Sequence, residues 1–96
     1  MENKYLPIGS IVLLENATKK LMITGFGVIP NEEKEKLYDY SGVIYPEGLL
    51  RTEHTAVFNH SQIKEIVHIG YSNEEEIRFK EKLNRALKNN DIEMLQ

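Results

Sequence analysis

The chain has 96 residues, no cysteine and a net charge of −3, which gives room for one small domain with a thin core and excludes a disulfide framework, a thiolate metal site and a cysteine nucleophile. Hydrophobic residues at 41% and charged residues at 28% are globular composition, and the acidic balance lacks the basic excess that drives phosphate-backbone binding. The apolar run Ile11–Leu14 is far short of a signal-peptide core or a membrane span, so the expectation is a soluble, cytoplasmic single domain over residues 1–96.

Leu6-Pro-Ile-Gly-Ser10 is a turn-like entry to a first strand, Ile11–Leu14. Glu15 to Lys20 supplies polar turn chemistry before a second strand opens at Leu21. Gly25 and Gly27 interrupt that strand, where glycine marks a bulge or bend. The charged stretch 30–36 has no apolar anchor and reads as a solvated loop, with its tip at 31–36. Tyr38 to Tyr45 predicts a third strand, with Tyr38 and Tyr40 on one face and Asp39, Ser41, Val43 and Tyr45 on the other. Pro46-Glu47-Gly48 terminates it, because proline donates nothing to a ladder and glycine tolerates positive φ. Thr55–Phe58 predicts a short fourth strand. A single helical turn over Asn59 to Gln62 follows, capped by Asn59 or Ser61, and then a fifth strand from Ile63 to Tyr71.

A helix is predicted over roughly 73–88. Ser72-Asn-Glu-Glu75 reads as a capping box with Ser72 as the cap. Glu74 to Glu76 suit the positive end of the dipole, and Lys80, Lys82, Arg85 and Lys88 lie towards the other end. Phe79, Leu83, Ala86 and Leu87 form one apolar stripe. Residues 89–96 read as a frayed tail. Five short strands within 8–71 and one terminal helix predict an α+β fold: a strongly bent five-stranded antiparallel sheet, or a small SH3-like barrel, with a C-terminal helix packed on an open face or end.

Candidate chemistry is sparse. His54, His60 and His68 with Asp39 offer zinc-ligand types, but their spacing matches no compact ligand motif. Ser41, Ser61 and Ser72 each have a structural explanation. The carboxylates at Glu32–Glu33 and Glu74–Glu76 fall in a charged loop and an exposed helical turn, where nothing raises a pKa for acid–base work. The glycines are too scattered for a phosphate-cradling loop. Lys19, Lys20 and the helix lysines make a modest basic surface without interleaved aromatic residues, so a small nucleic-acid-binding barrel ranks behind a protein-binding role. The sequence thus names no catalytic residue, no cofactor and no metal ligand, and the expectation is a non-enzymatic protein without membrane insertion.

Tyrosines remain to be placed. Tyr38, Tyr40, Tyr45 and Tyr71 can be strand and strand-end residues whose hydroxyls reach turns or water. Leu49 and Leu50, adjacent after the Pro-Glu-Gly turn, are harder to bury in a small domain. Tyr45, Pro46, Glu47, Gly48, Leu49 and Leu50 are therefore the candidate protein-binding rim, and unpaired strand edges allow a homodimer.

Six segments in this order, Leu6-Pro-Ile-Gly-Ser10, Leu21-Met-Ile-Thr-Gly-Phe26, Tyr38-Asp-Tyr-Ser-Gly42, Tyr45-Pro-Glu-Gly48, Phe58-Asn-His-Ser-Gln-Ile63 and Gly70-Tyr-Ser-Asn-Glu-Glu75, resemble the domain of unknown function 4176 family (DUF4176) across roughly residues 5 to 88. The resemblance implies a small Gram-positive bacterial protein from type VII secretion loci, where such proteins stand beside toxins carrying an LXG export domain. It further implies a cytoplasmic chaperone or targeting adaptor that binds the toxin or its export domain, or alternatively an immunity protein that neutralises the toxin. It carries over no catalytic residue and no binding motif.

Overall fold

The computed structural model describes residues 5–28, 37–51 and 55–89. It holds five strands, β1 (Ile11–Leu14), β2 (Leu21–Val28), β3 (Tyr38–Ile44), β4 (Ala56–Phe58) and β5 (Ile63–His68), and one helix, α1 (Glu74–Lys88). They form an α+β fold: one antiparallel sheet in the order β4-β3-β2-β1-β5, with the helix C-terminal to it. Of the two arrangements expected from sequence, the open bent sheet is the one formed, with β4 and β5 at its two ends. The polar stretch 31–36, His54 and residues 90–96 of the predicted tail lie outside the described residues.

The bending has a local cause. Register shifts occur in β2 between Ile23 and Gly25, at the glycine-interrupted segment, and twice along β1–β5, where Val67 and Lys64 are the extra residues on β5. Each extra residue twists and bends its strand. β1 and β2 are joined by the expected polar turn, in which Asn16 takes φ 63°, a conformation asparagine tolerates.

The core gathers one side of this sheet: Val12 from β1, Leu21 and Ile23 from β2, Tyr40 from β3 and Phe58 from β4, with Tyr5 and with Leu83 of α1. Tyr40 is its centre. Its ring lies 5.3 Å from Phe58, 5.9 Å from Tyr5 and 6.0 Å from Phe26, in the edge-on and tilted arrangements that aromatic quadrupoles favour.

Several expectations need correcting. β5 stops at His68 instead of Tyr71, because the chain there leaves β1 and lies against the turn at 8–10: the Gly70 N–H donates to Ser10 Oγ at 2.9 Å. The helix is capped by Asn73, not Ser72; the Asn73 side chain accepts from the Glu76 N–H at 2.9 Å, while the Ser72 hydroxyl donates to the Glu76 carboxylate at 2.6 Å. Both residues are good caps, and moving the cap by one starts the helix at Glu74.

Lys80 is buried instead of serving the exposed C-terminal end of the helix. Three residues before Leu83, it shares the core-facing side, and its ammonium reaches the Glu76 carboxylate at 3.2 Å. Phe79, expected in the apolar stripe, stays partly exposed at the stripe's margin against Phe26, whereas Leu83 and Ala86 are buried and Leu87 packs on the core. The turn at His60–Gln62 forms with Asn59 at its N-cap position, but the Asn59 side-chain oxygen accepts from the Asp39 N–H, and Gln62 reaches back to the Asn59 N–H at 2.8 Å. Smaller boundary differences, β3 ending at Ile44 and β4 beginning at Ala56, are single-residue shifts at strand ends.

Candidate functional site

The rim predicted at Tyr45 to Leu50 lies where β3 runs out beside the start of β2. Tyr45 donates its N–H to the Lys20 carbonyl at 2.9 Å, and Gly48 donates to Ile44 at 2.8 Å, closing a tight turn that includes a cis Tyr45–Pro46 peptide. Gly48 has φ 78°, a conformation that glycine alone adopts without a Cβ penalty. On the turn's outer side Glu47 accepts from the Lys19 ammonium at 2.8 Å, tying the rim to the β1–β2 turn. This pairing holds the Glu47 carboxyl below the usual carboxylate range.

The turn therefore holds three apolar side chains outward. Tyr45 is 41% exposed, Leu49 53% and Leu50 71%. Pro46 and Glu47 are exposed beside them. The structure thus brings all six predicted residues together on one surface turn. Of the tyrosines, Tyr40 is wholly buried and Tyr71 is 80% exposed, so residues of one type take opposite roles.

Sequence reasoning missed two groups. The first is an exposed apolar run, Ile66, Val67, Ile69 and Tyr71, together with Ile8, next to the contact of Gly70 with residues 8–10. Its signal was present: apolar residues at both parities of 66–71 cannot all face one side of a strand, and a single helix covers only one face of a sheet.

The second group is a polar cluster. The Asp39 carboxylate accepts from the Tyr5 hydroxyl at 3.2 Å and from the His60 N–H at 2.9 Å. The Tyr40 hydroxyl accepts from the Leu6 N–H at 3.0 Å and meets His60 Nδ1 at 2.7 Å. Burial is the main cause that pushes the Tyr40 hydroxyl up to about 12, and burial with the Asp39 carboxylate raises Tyr5 as well. Asp39 and His60, considered from sequence as metal-ligand types, are thus brought together, but in bonds that pin residues 5 and 6 and the turn after β4 to β3. Sequence spacing could not reveal this, since the partners lie 20 to 34 residues apart.

The other candidates are separate. His68 is exposed at the end of β5, Ser41 Oγ pairs with Thr24 Oγ1 at 3.1 Å, and Glu74 and Glu75 are exposed in the first turn of α1. Among the described residues no group of three or more histidine, aspartate and glutamate side chains is placed to hold a metal ion, and no helix is long and apolar enough to cross a membrane.

A family model described as a domain of unknown function, DUF4176, matches residues 5–79. The match spans the sheet and ends within α1, short of the roughly residue-88 limit suggested by the segments. No curated protein and no solved structure matches.

Proposed function

The chain belongs to the family described as a domain of unknown function, DUF4176, and from that premise we propose that it is a non-enzymatic binding protein whose contact surface is the Tyr45–Leu50 rim. The observation that carries this reading is the outward presentation of Tyr45, Leu49 and Leu50 by a turn whose backbone is hydrogen-bonded on the inside. Water-exposed leucines gain nothing for this fold, but covering each one by a partner contributes about 1–2 kcal/mol. Aromatic and aliphatic anchors clustered in this way are what binding hot spots are made of. The non-enzymatic part of the reading is supported by the Tyr5–Asp39–His60–Tyr40 cluster, whose acid, base and hydroxyl groups hold backbone segments in place.

The resemblance to proteins of type VII secretion loci narrows the partner. On this reading the protein is a cytoplasmic chaperone or targeting adaptor that keeps an LXG-type toxin soluble and competent for export, without entering the membrane. The test is co-purification of the tagged chain with such a toxin from the same locus, its export half and toxin half offered as separate baits. Capture by the export half, lost in the Leu49→Ser, Leu50→Ser double variant, is the expected result. Capture by the toxin half replaces the adaptor reading with an immunity role, and capture by neither removes the secretion reading altogether.

A further inference from the structure

We infer that the edge formed by β5 and residues 69–71, with Ile8 beside it, receives a second copy of this chain, joined edge to edge about a two-fold axis. This surface is separate from the rim and does not depend on it.

The edge is open and apolar. Among the described residues β5 pairs only with β1, so its other side has no neighbouring strand. Ile66, Val67, Ile69, Tyr71 and Ile8 are all exposed along it, and the Gly70 N–H bond to Ser10 Oγ holds the run against the turn at 8–10. Grouped apolar side chains of this size, with an aromatic among them, mark contact surfaces.

Charge selects the occupant. Neither 5–14 nor 66–73 contains a Lys, Arg, Asp or Glu, in a chain that is 28% charged and carries a net −3. The two segments lie side by side, through the pairing of β1 with β5 and through the Gly70 contact. A two-fold axis brings each side chain near it close to its own image, so any charge there meets like charge. An uncharged region admits the axis without that cost. A foreign partner carries no such restriction and is commonly chosen by complementary charge, for which this surface offers nothing; interfaces between identical subunits are the more apolar class.

Sequence order places the axis further. Antiparallel pairing of a strand with its own copy sets the central residue opposite itself. Centring on Lys64 or Glu65 opposes like charges, so the axis falls at Ile66 or beyond. The two bulges within β5 keep the backbone pairing short, leaving side chains to supply most of the affinity, and the two-fold closes the assembly at two copies.

The test is sedimentation equilibrium of the full chain across loading concentrations, with amide chemical shifts followed on dilution. The expected result is a monomer–dimer equilibrium with a dissociation constant on the order of 10 μM, and dilution shifts at 8–10 and 63–71 but not at 45–51. Val67→Glu combined with Ile69→Glu sets like charges about the axis and is expected to weaken the dimer roughly a hundredfold; both side chains are exposed, so the variant keeps the urea midpoint of the parent monomer. The chain has no cysteine, so Ile66→Cys, Val67→Cys and Ile69→Cys, made singly, each supply one thiol per copy. At least one of the three is expected to cross-link two copies on oxidation, and Leu50→Cys is not.

A monomer at every concentration up to about 1 mM overturns the inference, as does a dimer that the two glutamates leave intact. The Leu49→Ser, Leu50→Ser variant is expected to stay dimeric; loss of the dimer in it puts the second copy on the rim and overturns the inference equally. Failure of toxin capture by the rim, with the dimer retained, removes the proposed function and leaves the β5 interface standing.

Discussion

The rim at Tyr45–Leu50 and the run from Ile66 to Tyr71 both leave large apolar side chains in water, yet they are built differently. The rim is built on a closed turn: the Tyr45 and Gly48 N–H groups donate within the fold, its glycine stands in open space, and Glu47 pairs with Lys19 of the neighbouring turn. The β5 run belongs to an edge strand whose far end is clamped against the turn at 8–10. Apolar exposure alone does not mark a docking site. Whether an exposed leucine or isoleucine is free for a partner depends on what the chain around it is doing, and the rim's leucines follow a turn closed by its own hydrogen bonds.

One substitution applied to both regions tests this contrast with the largest effect. At Gly70 a Cβ would sit 2.3 Å from the Ile8 carbonyl oxygen and 2.9 Å from the Ser10 nitrogen, both backbone atoms. Gly70→Ala is expected to destabilise the protein by about 3 kcal/mol, the upper range for overpacking, seen as a lowered urea midpoint. An unchanged midpoint would mean that β5 is not clamped.

The alkaline limb of stability sharpens the same comparison. The Tyr40 hydroxyl holds Leu6, and through the 5–10 segment it serves the β5 side of the molecule and not the rim. Its pKa is raised to about 12 from about 10 in an unfolded chain, so the contribution is complete below about pH 10 and is lost as pH rises towards 12. Stability measured across that window should fall, and fall less steeply in Tyr40→Phe; Tyr5, raised in the same direction, keeps the slope from vanishing. Equal slopes would dissociate the hydroxyl from the clamp.

Gly48→Ala is the rim's counterpart to the Gly70 change. Its φ of 78° is strained for alanine, but nothing lies within 4 Å of the added Cβ, so a loss of about 1 kcal/mol is expected, well below that at Gly70. A cost equal to that at Gly70 would erase the distinction between an open turn and a clamped one.

The smallest effect is electrostatic. Glu47 should titrate below the ordinary carboxylate range when followed by its carboxyl-carbon shift, and move back up in Lys19→Met. The depressed pKa means that the Lys19 contact is present above the unfolded carboxyl value and is lost as pH falls through the folded one. A Glu47 titration unmoved by Lys19→Met would release the rim from the β1–β2 turn.

Local pattern was enough to place much of this molecule. The β-branched run at Ile11–Leu14, the glycine-broken strand from Leu21, the Pro-Glu-Gly stop after β3 and the acidic-to-basic helix are each written in consecutive residues, because strand alternation, turn chemistry and capping act over a few positions. The six rim residues were legible for the same reason, as a turn followed by two leucines that a small core has no room for. Tertiary structure decided what depends on distant partners. Gly70 ends β5 because residues 8–10 occupy the space beside it, Lys80 is buried because the core face of the helix includes it, and Asp39, His60, Tyr5 and Tyr40 meet only once the sheet has assembled. Tyr40 in the core and Tyr45 in water are the plainest case: the same side chain, five positions apart, is sorted by which neighbours the fold brings to it.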